Sequence, residues 1–467
     1  MSTIDKNVIE KVVNPGICCS CGLCAGICPT DALEMAIQEN GDLAPSCAND
    51  KCLDGCSLCL NVCPFESGIY NPRELNENLY GKNSGTGSFY DPDIGWFFDC
   101  YVGHRTDPYL RGLSASGGLL TWCLEELLEK GLVSRVATVR FAPGNEGYFE
   151  FFSASTVSEL RGAAGSVYQP VSISSVIKGI RCSEDETWAV VGVPCLCAAV
   201  QRAKPILKDK VRFVFGLACG MYQNVFYTDL LLAESGINED EVASISYRVK
   251  TDIGPANNYG FQAIDINGKT GKLIPYKGLP YFLGKHAFFR QNACNFCMDV
   301  FAEGADACFM DAWLPEFLNQ PKGNSLVILR NTEIRDLLLQ GQLGNKLAIN
   351  EICPELVILS QKGHVRRKRE LISLRRVSGS SDARYEKPTM AEHISWQLQR
   401  HTQARSKKAW ASYGRKYGLI ALWLALFDVL LLQIVVKHVY IIFSLPQRSV
   451  GKFKKVLSRS RVTKGCE

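Results

Sequence analysis

Eight cysteines in the first 63 residues fall into two near-copies of one pattern. Cys18, Cys21, Cys24 and Cys28 precede Pro29, and Cys52, Cys56, Cys59 and Cys63 precede Pro64, with one extra residue between Cys52 and Cys56. This spacing lets three thiolates of one loop bind one iron-sulfur cluster while the fourth, turned away by proline, reaches a second. It predicts one 4Fe-4S cluster on Cys18, Cys21, Cys24 and Cys63, and another on Cys52, Cys56, Cys59 and Cys28. Zinc favours two CxxC pairs and has no use for a duplicated proline-ended set, and a disulfide framework belongs to secreted chains. Cys19 and Cys47 are surplus and expected to be bystanders, with Cys47 the replacement ligand if Cys52 is not one.

A second constellation is less local. Cys294 and Cys297 form a lone CxxC, and Cys195 in GVPC and Cys219 in GLAC stand where strands end, the place at which α/β folds gather residues around a ligand crevice. Four thiolates would complete a third 4Fe-4S site. Spacing alone leaves open that Cys195 and Cys219 are small core residues. Elsewhere, Gly117 and Gly118 at a helix start allow close backbone approach to a phosphate or ribityl chain, with Ser114 and Ser116 as further donors. The plain alternative for SASGG is a helix cap. Gly165, Ser166 and Tyr168 set an aromatic beside a glycine turn as a candidate cofactor wall, and Arg248 is a candidate to hold an anion. Asp299, Asp306, Asp311 and His286 lie near the CxxC, but no acid or base role is assigned to them.

The elements that must position these residues follow from periodicity. LEMAIQENGDLAP alternates around Asn40 and Gly41 as a hairpin does. A helix is expected over Gly117–Lys130, capped by Ser114 or Ser116 and ended by Gly131. Strands are expected near 133–141, 188–193 and 211–219, with PCLCAAVQRA a helix and another helix stopping at Gly236. Residues 244–290 read as β-rich, and SLVILRN, TEIRDLLLQ and NKLAINEI as strand, helix and strand. At 467 residues the chain exceeds one core. The expectation is a multidomain protein of α+β and α/β character. Residues 1–75 form a 2x4Fe-4S ferredoxin-like module, 76–94 a linker, 95–205 and 206–360 the two parts of an α/β body, and 361–467 a basic connector and helical tail.

Charge divides the chain. From residue 400 onward there are 14 Lys and Arg against 2 acids, a net of +12 within an overall +5, which leaves −7 before that point. The acidic body offers no nucleic-acid surface. The opening MSTIDKNVIE lacks a signal peptide's apolar run, so the 21 cysteines are expected as reduced cytoplasmic thiols serving metals. Residues 418–443 are apolar but interrupted by Asp428 and Gln433, and basic groups flank them. An interfacial helix on an anionic membrane face is expected ahead of a true span or a buried helix.

The first 70 residues resemble the bacterial two-cluster ferredoxin. SASGGLLT at 114–121, GSVYQ at 165–169, VVGVPC at 190–195, GLACG at 216–220 and CNFCMDVFAEGADACFMDAW at 294–313 resemble, in order, the coenzyme F-420 hydrogenase/dehydrogenase beta-subunit family. That resemblance implies FAD in the α/β body and supports Cys195, Cys219, Cys294 and Cys297 as ligands. The function it implies is an iron-sulfur flavoprotein oxidoreductase. Electrons would come from a donor such as reduced ferredoxin or a reductase and pass to a small-molecule substrate, by analogy a sugar or polysaccharide precursor at the inner membrane face. The alternatives are an electron-input subunit working with coenzyme F-420 for a partner hydrogenase or dehydrogenase, and a noncatalytic electron carrier or redox sensor. No GxGxxG stands between strand and helix, so no nicotinamide Rossmann site is expected. Oligomeric state is not read from the sequence.

Overall fold

Turn chemistry sets the first element. Gly41 adopts φ 80°, which an L side chain resists, and it reverses β1 (Leu33–Ile37) into β2 (Leu43–Cys47), with Leu33 opposite Cys47. A computed structural model of the chain describes residues 7–81, 87–145, 147–250, 254–371, 374 and 388–432 apart from 421 and 425.

Behind this module lie β3 (Phe89–Asp91) and β4 (Gly95–Phe97), a short hairpin, and then the strands of the body. These are β5 (Asp99–Arg105), β6 (Arg135–Phe141), β7 (Phe149–Ala154), β8 (Trp188–Gly192) and β9 (Val211–Leu217). After them come β10 (Val242–Lys250), β11 (Tyr259–Asp265), β12 (Ile274–Pro275), β13 (Ala307–Asp311), β14 (Ser325–Leu329) and β15 (Leu347–Glu351). One eight-stranded sheet runs β15-β5-β14-β13-β9-β8-β6-β7, while β10, β11 and β12 form a separate antiparallel sheet. Strands β6, β8, β9 and β13 are mutually parallel and the flanking pairs antiparallel. Strands from both expected halves of the body thus share one sheet.

WAVVG and SLVIL are buried along their whole length because helices cover both faces. On one face Val190, Leu326 and Ile328 pack with Ile177 and Leu196 of the helices Ser174–Cys182 and Pro194–Ala203. On the other, Val191, Val327 and Leu329 pack with Leu124 and Leu127 of Leu119–Glu129 and with Leu338 of Thr332–Leu343.

Three expectations need correction. Neither Ser114 nor Ser116 caps the Leu119–Glu129 helix, whose N-cap is Gly118 at φ 84°. Ser114 Oγ instead donates to Leu110 O and Ser116 Oγ to Asn324 O, 2.9 and 2.7 Å away. The expected linker contains part of a helix, Arg73–Tyr80, whose buried Asn76 donates to Glu303 O and accepts from Trp96 N; residues 82–86 lie outside the described residues. The expected polar connector is seated on the body in its described parts. Its turns Lys362–Val365 and Arg366–Glu370 bury Lys368 and Arg369, and its long helix Met390–Ala409 buries Thr402, Gln403, Ser406 and Lys407.

The cysteine-rich module is held by the body along its length. Arg181 Nη1 donates to the carbonyls of Gly26 and Cys28, at 3.1 and 2.9 Å, and Arg202 Nη1 to that of Cys63 at 2.8 Å. Gly26 lies so close to the Ser174–Cys182 helix that a Cβ there would meet Ile177 Cβ at 2.6 Å. At the hairpin tip Asn224 donates to Asn40 O, and Lys407 of the long C-terminal helix reaches both oxygens of Asp42 at 2.6 and 2.7 Å.

The tail outcome is mixed. Helical residues between 419 and 432 bury Leu422, Leu426 and Leu430 against Ala409 and Trp410 and expose Ile420, Leu424, Phe427 and Leu431. Asp428, which interrupts the apolar run, pairs with Arg405 at 2.9 Å. Among the described residues no helix is long and apolar enough to cross a membrane. The rest of the expected interfacial segment, 433–443, lies outside them.

Candidate metal centre

Two strand ends and two loops converge on one cavity with about 280 Å³ of empty space. Strand β8 runs through Val193 into the Pro194–Ala203 helix, where Pro194 at the first position supplies a preset φ and places Cys195 in the first turn. Strand β9 ends two residues before Cys219, whose backbone N donates to Val300 O. The short 3-10 helix Asn292–Phe296 carries Cys294, and Cys297 follows it. All four predicted cysteines line the cavity, joined by Cys19, Tyr222 and Lys368. Cys197, two residues from Cys195, instead points to Gly192 O and Phe215 O in the core.

The donor chemistry fits a multi-iron group. Among the described residues no three metal-ligating side chains converge tightly enough for a single ion. Zinc thiolates crowd to about 2.3 Å from their ion; here the thiols ring an enclosed space instead. Burial pushes the Cys297 thiol up to about 11 and that of Cys219 higher still, and Lys368 draws both back down. The bare site therefore holds thiols, and a metal group entering it must expel their protons.

The outer cysteines stand near one another in the module, and Cys24 has neighbours from both expected sets, Cys59 included. Cys24 interacts electrostatically with Cys21, Cys18 and Cys63, and Cys63 in turn with Cys21 and Cys18. Cys52 interacts with Cys28 and Cys56, and Cys59 with Cys56 and Cys52. Cys47 stands near Cys52 as well. Sulfurs here accept backbone hydrogen bonds, among them Ser20 N to Cys18 at 3.4 Å and Ala32 N to Cys28 at 3.3 Å. Desolvation raises Cys18 to about 12.

Cys19 is no bystander. Its buried thiol lines the inner cavity together with Cys195, and its neighbours Cys195 and Cys21, ahead of burial, push it up. Cys19 in turn lowers Cys21. Tyr222 OH donates to Cys19 O, and Gln291 Nε2 to Ser20 Oγ at 2.7 Å, so the inner site's own loops fix this stretch. The only sequence signal was its position beside Cys18 in an otherwise regular motif.

Lys368 was also missed. It sits in the Arg366–Glu370 turn, is 2 % exposed, and donates to Cys297 Sγ at 3.3 Å and Asp299 O at 2.5 Å. Asp299 is buried, accepts from Tyr70 OH at 2.8 Å and from Glu303 N, and so locks the loop behind the CxxC. Asp306 likewise serves the sheet, accepting from Val214 N. His286 ends the Leu279–Lys285 helix, its ring 4.6 Å from that of Phe282.

A second cavity, with about 270 Å³ of empty space, brings Ser116 and Arg248 together with Lys250, Tyr259, Asp311 and Trp313. Arg248 forms a two-pronged pair with Asp311, at 3.0 and 2.9 Å, and stacks over Tyr259 and Trp313. Burial draws Lys250 down to about 7, and its ammonium caps three carbonyls, those of Arg111, Ser116 and Lys322. Tyr168 joins through Tyr247, 5.3 Å between rings. Gly165 faces open space and Ser166 is half-buried on the same loop, which ends where Ile173 N binds Cys21 O. Ser114, Gly117 and Gly118 do not line this cavity. A Cβ on Gly117 would strike Gly103 O and Ser325 N, so its close approach serves the sheet and leaves no room for a phosphate.

Comparison with known proteins places this architecture. Models described as coenzyme F420 hydrogenase/dehydrogenase beta subunit, N-terminal and C-terminal parts, match residues 100–178 and 185–355, more than half of the chain together. Among curated proteins, the chain is 25% identical over 282 residues to the beta subunit of coenzyme F420 hydrogenase from Methanothermobacter thermautotrophicus, covering 57% of this chain and 90% of that one. It is 22% identical over 376 residues to a subunit of the F(420)H(2) dehydrogenase from Methanosarcina mazei, covering 74% and 95%. It is also 22% identical over 383 residues to coenzyme F420-dependent sulfite reductase of Methanocaldococcus jannaschii, covering 78% of this chain but spanning only 52% of that protein. A chain of the F420-reducing [NiFe] hydrogenase complex from Methanosarcina barkeri overlaps it with a TM-score of 0.47 at 18% identity, over 65% of this chain and 99% of that one.

Proposed function

The chain belongs to the coenzyme F420 hydrogenase/dehydrogenase beta-subunit family, and from that premise we propose that it is an iron-sulfur oxidoreductase subunit exchanging electrons between coenzyme F420 and a partner redox protein. The observation that carries this reading is the thiol-lined cavity inside the family body, with Cys19 of the cysteine-rich module on its wall. F420 takes the place of the sugar precursor as the organic substrate, because each curated relative is named for F420 and the polysaccharide reading draws no support from them. FAD, implied by resemblance alone, draws none either; flavin analysis of the purified chain tests it.

Iron-sulfur groups, when bound, supply one-electron steps over a wide range of potentials. The residues themselves do the rest. Cys18, Cys21, Cys24 and Cys63 would hold one outer group, and Cys28, Cys52, Cys56 and Cys59 the other. Cys195, Cys219, Cys294 and Cys297 would hold the inner group, in the cavity that they line. The second cavity presents Arg248, paired with Asp311, and Lys250 beside the rings of Tyr259 and Trp313. It would seat one end of a deazaflavin.

The test is anaerobic mixing of the purified full chain with reduced F420. Bleaching of cluster absorbance at a rate that rises with F420 concentration is expected, with nicotinamides and nucleotide sugars silent. Reduction by a nicotinamide or a nucleotide sugar and not by F420 would overturn the assignment, as would clusters that F420 leaves untouched.

The exposed apolar stripe of the tail, Ile420, Leu424, Phe427 and Leu431, recurs at helical spacing beside exposed Lys408 and Lys416. On this proposal it rests on an anionic lipid surface, with the basic residues on headgroups. Phe427→Asp is expected to cut cosedimentation with anionic vesicles at least tenfold while leaving iron content unchanged. Equal binding by the variant would remove the lipid role.

A further inference from the structure

Lys368 stands out because burial of an ammonium needs compensation. Its side chain is 2 % exposed, lines the five-cysteine cavity and donates to one ligating sulfur, Cys297 Sγ at 3.3 Å, and one carbonyl, Asp299 O at 2.5 Å. Those two bonds fix the charge in place. Arg367 adds a second buried cation whose field reaches Cys294 and Cys219, and Arg290 a third near Cys294. One anion, Asp299, also acts on Cys297.

The outer sets are built differently. Their sulfurs receive backbone N–H bonds from residues such as Ser20, Leu23 and Phe65, and the carboxylate of Asp42 lies toward Cys18. Arg202, the cation nearest Cys63, spends its Nη1 on a backbone carbonyl. A metal group held by four thiolates is anionic and becomes more so when it takes up an electron. A fixed cation on a ligating sulfur therefore stabilises the reduced form more than the oxidised one, while a backbone dipole does so more weakly.

We infer that Lys368 sets the reduction potential of the inner iron-sulfur group and holds it above those of the two outer groups. The inference rests on the iron-sulfur assignment and adds a direction to it. Electrons entering from either side settle at the inner site, whose cavity Cys195 and Cys19 line together. Lys368 acts here as a positioning residue, fixing a charge on a ligand and touching no substrate.

The experiment is an anaerobic redox titration of the full-length protein, following each cluster by electron paramagnetic resonance, on the natural chain, Lys368→Met and Lys368→Arg. Lys368→Met is expected to shift the inner group's reduction equilibrium at least tenfold toward the oxidised form, a midpoint fall of about 59 mV or more for one electron. Lys368→Arg is expected to recover most of it, and the outer midpoints to stay in place. An unmoved inner midpoint in Lys368→Met with its iron intact would overturn the inference. If Lys368→Met loses the inner iron, Lys368→Gln decides: a natural midpoint overturns the inference and a lowered one supports it. A natural chain with only the outer clusters' iron would instead defeat the iron-sulfur assignment, before Lys368 is touched.

Discussion

Anaerobically purified Cys219→Ala protein will carry about eight irons per chain where the natural chain carries about twelve, the content of two and of three four-iron clusters. Cys219 is the ligand to remove because its position is the most constrained. It follows β9 directly, its backbone is tied to Val300 O, and a Cβ on the next residue, Gly220, would strike the ring of His364. The chain cannot swing another group into its place from the strand side. One rescue is available in principle, because Cys19 lines the same cavity. Cys19→Ser alone is therefore expected to leave the iron near twelve, and Cys19→Ser with Cys219→Ala to match Cys219→Ala. Iron and sulfide analysis checks all three proteins. A Cys219→Ala protein with unchanged iron, and no dependence on Cys19, would show that the inner thiols are core residues.

The second large effect is on stability. Arg330→Met is expected to cost about 1–3 kcal/mol or more, the scale of leaving buried acceptors unsatisfied. Arg330 follows β14, is 2 % exposed, and its guanidinium donates to five carbonyls, those of Ile94, Trp96, Phe301, Ala302 and Ala305. Methionine fills the space but donates to none of those buried oxygens, of which Ala302 O keeps the backbone N–H of Ala305. Three of the five lie in the loop between Cys297 and β13, so the same substitution should loosen the inner iron before the sheet melts. Anaerobic denaturant unfolding, read by far-ultraviolet circular dichroism alongside iron release, measures both effects. A change below about 1 kcal/mol, the net value of one ordinary hydrogen bond, would contradict the role given to Arg330.

Local chemistry was legible in the sequence and long-range chemistry was not. The Asn40–Gly41 hairpin follows from turn chemistry, and the Gly131 and Gly236 stops from the left-handed backbone that glycine permits. The Ser114 and Ser116 caps failed for a physical reason. Serine before a helix competes for any nearby backbone acceptor, and Ser116 finds Asn324 O, which is distant in sequence and adjacent in the sheet. Arg248 read as a lone arginine, because its partner Asp311 lies on another sheet. Lys368 was hidden by its company, since RRKRE reads as a solvated face. Only the fold reveals that thiols and a carbonyl make its burial tolerable.

The bond between Lys407 and Asp42 spans 365 residues of chain. A ribosome adding about 5–20 residues each second needs roughly 18–73 seconds to travel that distance. Throughout that interval the first cysteine loops are already made while the helix that clamps their hairpin does not yet exist. Oxygen and stray metals therefore compete for these thiols during synthesis itself, and the part of the protein made first is among the last to be locked in place.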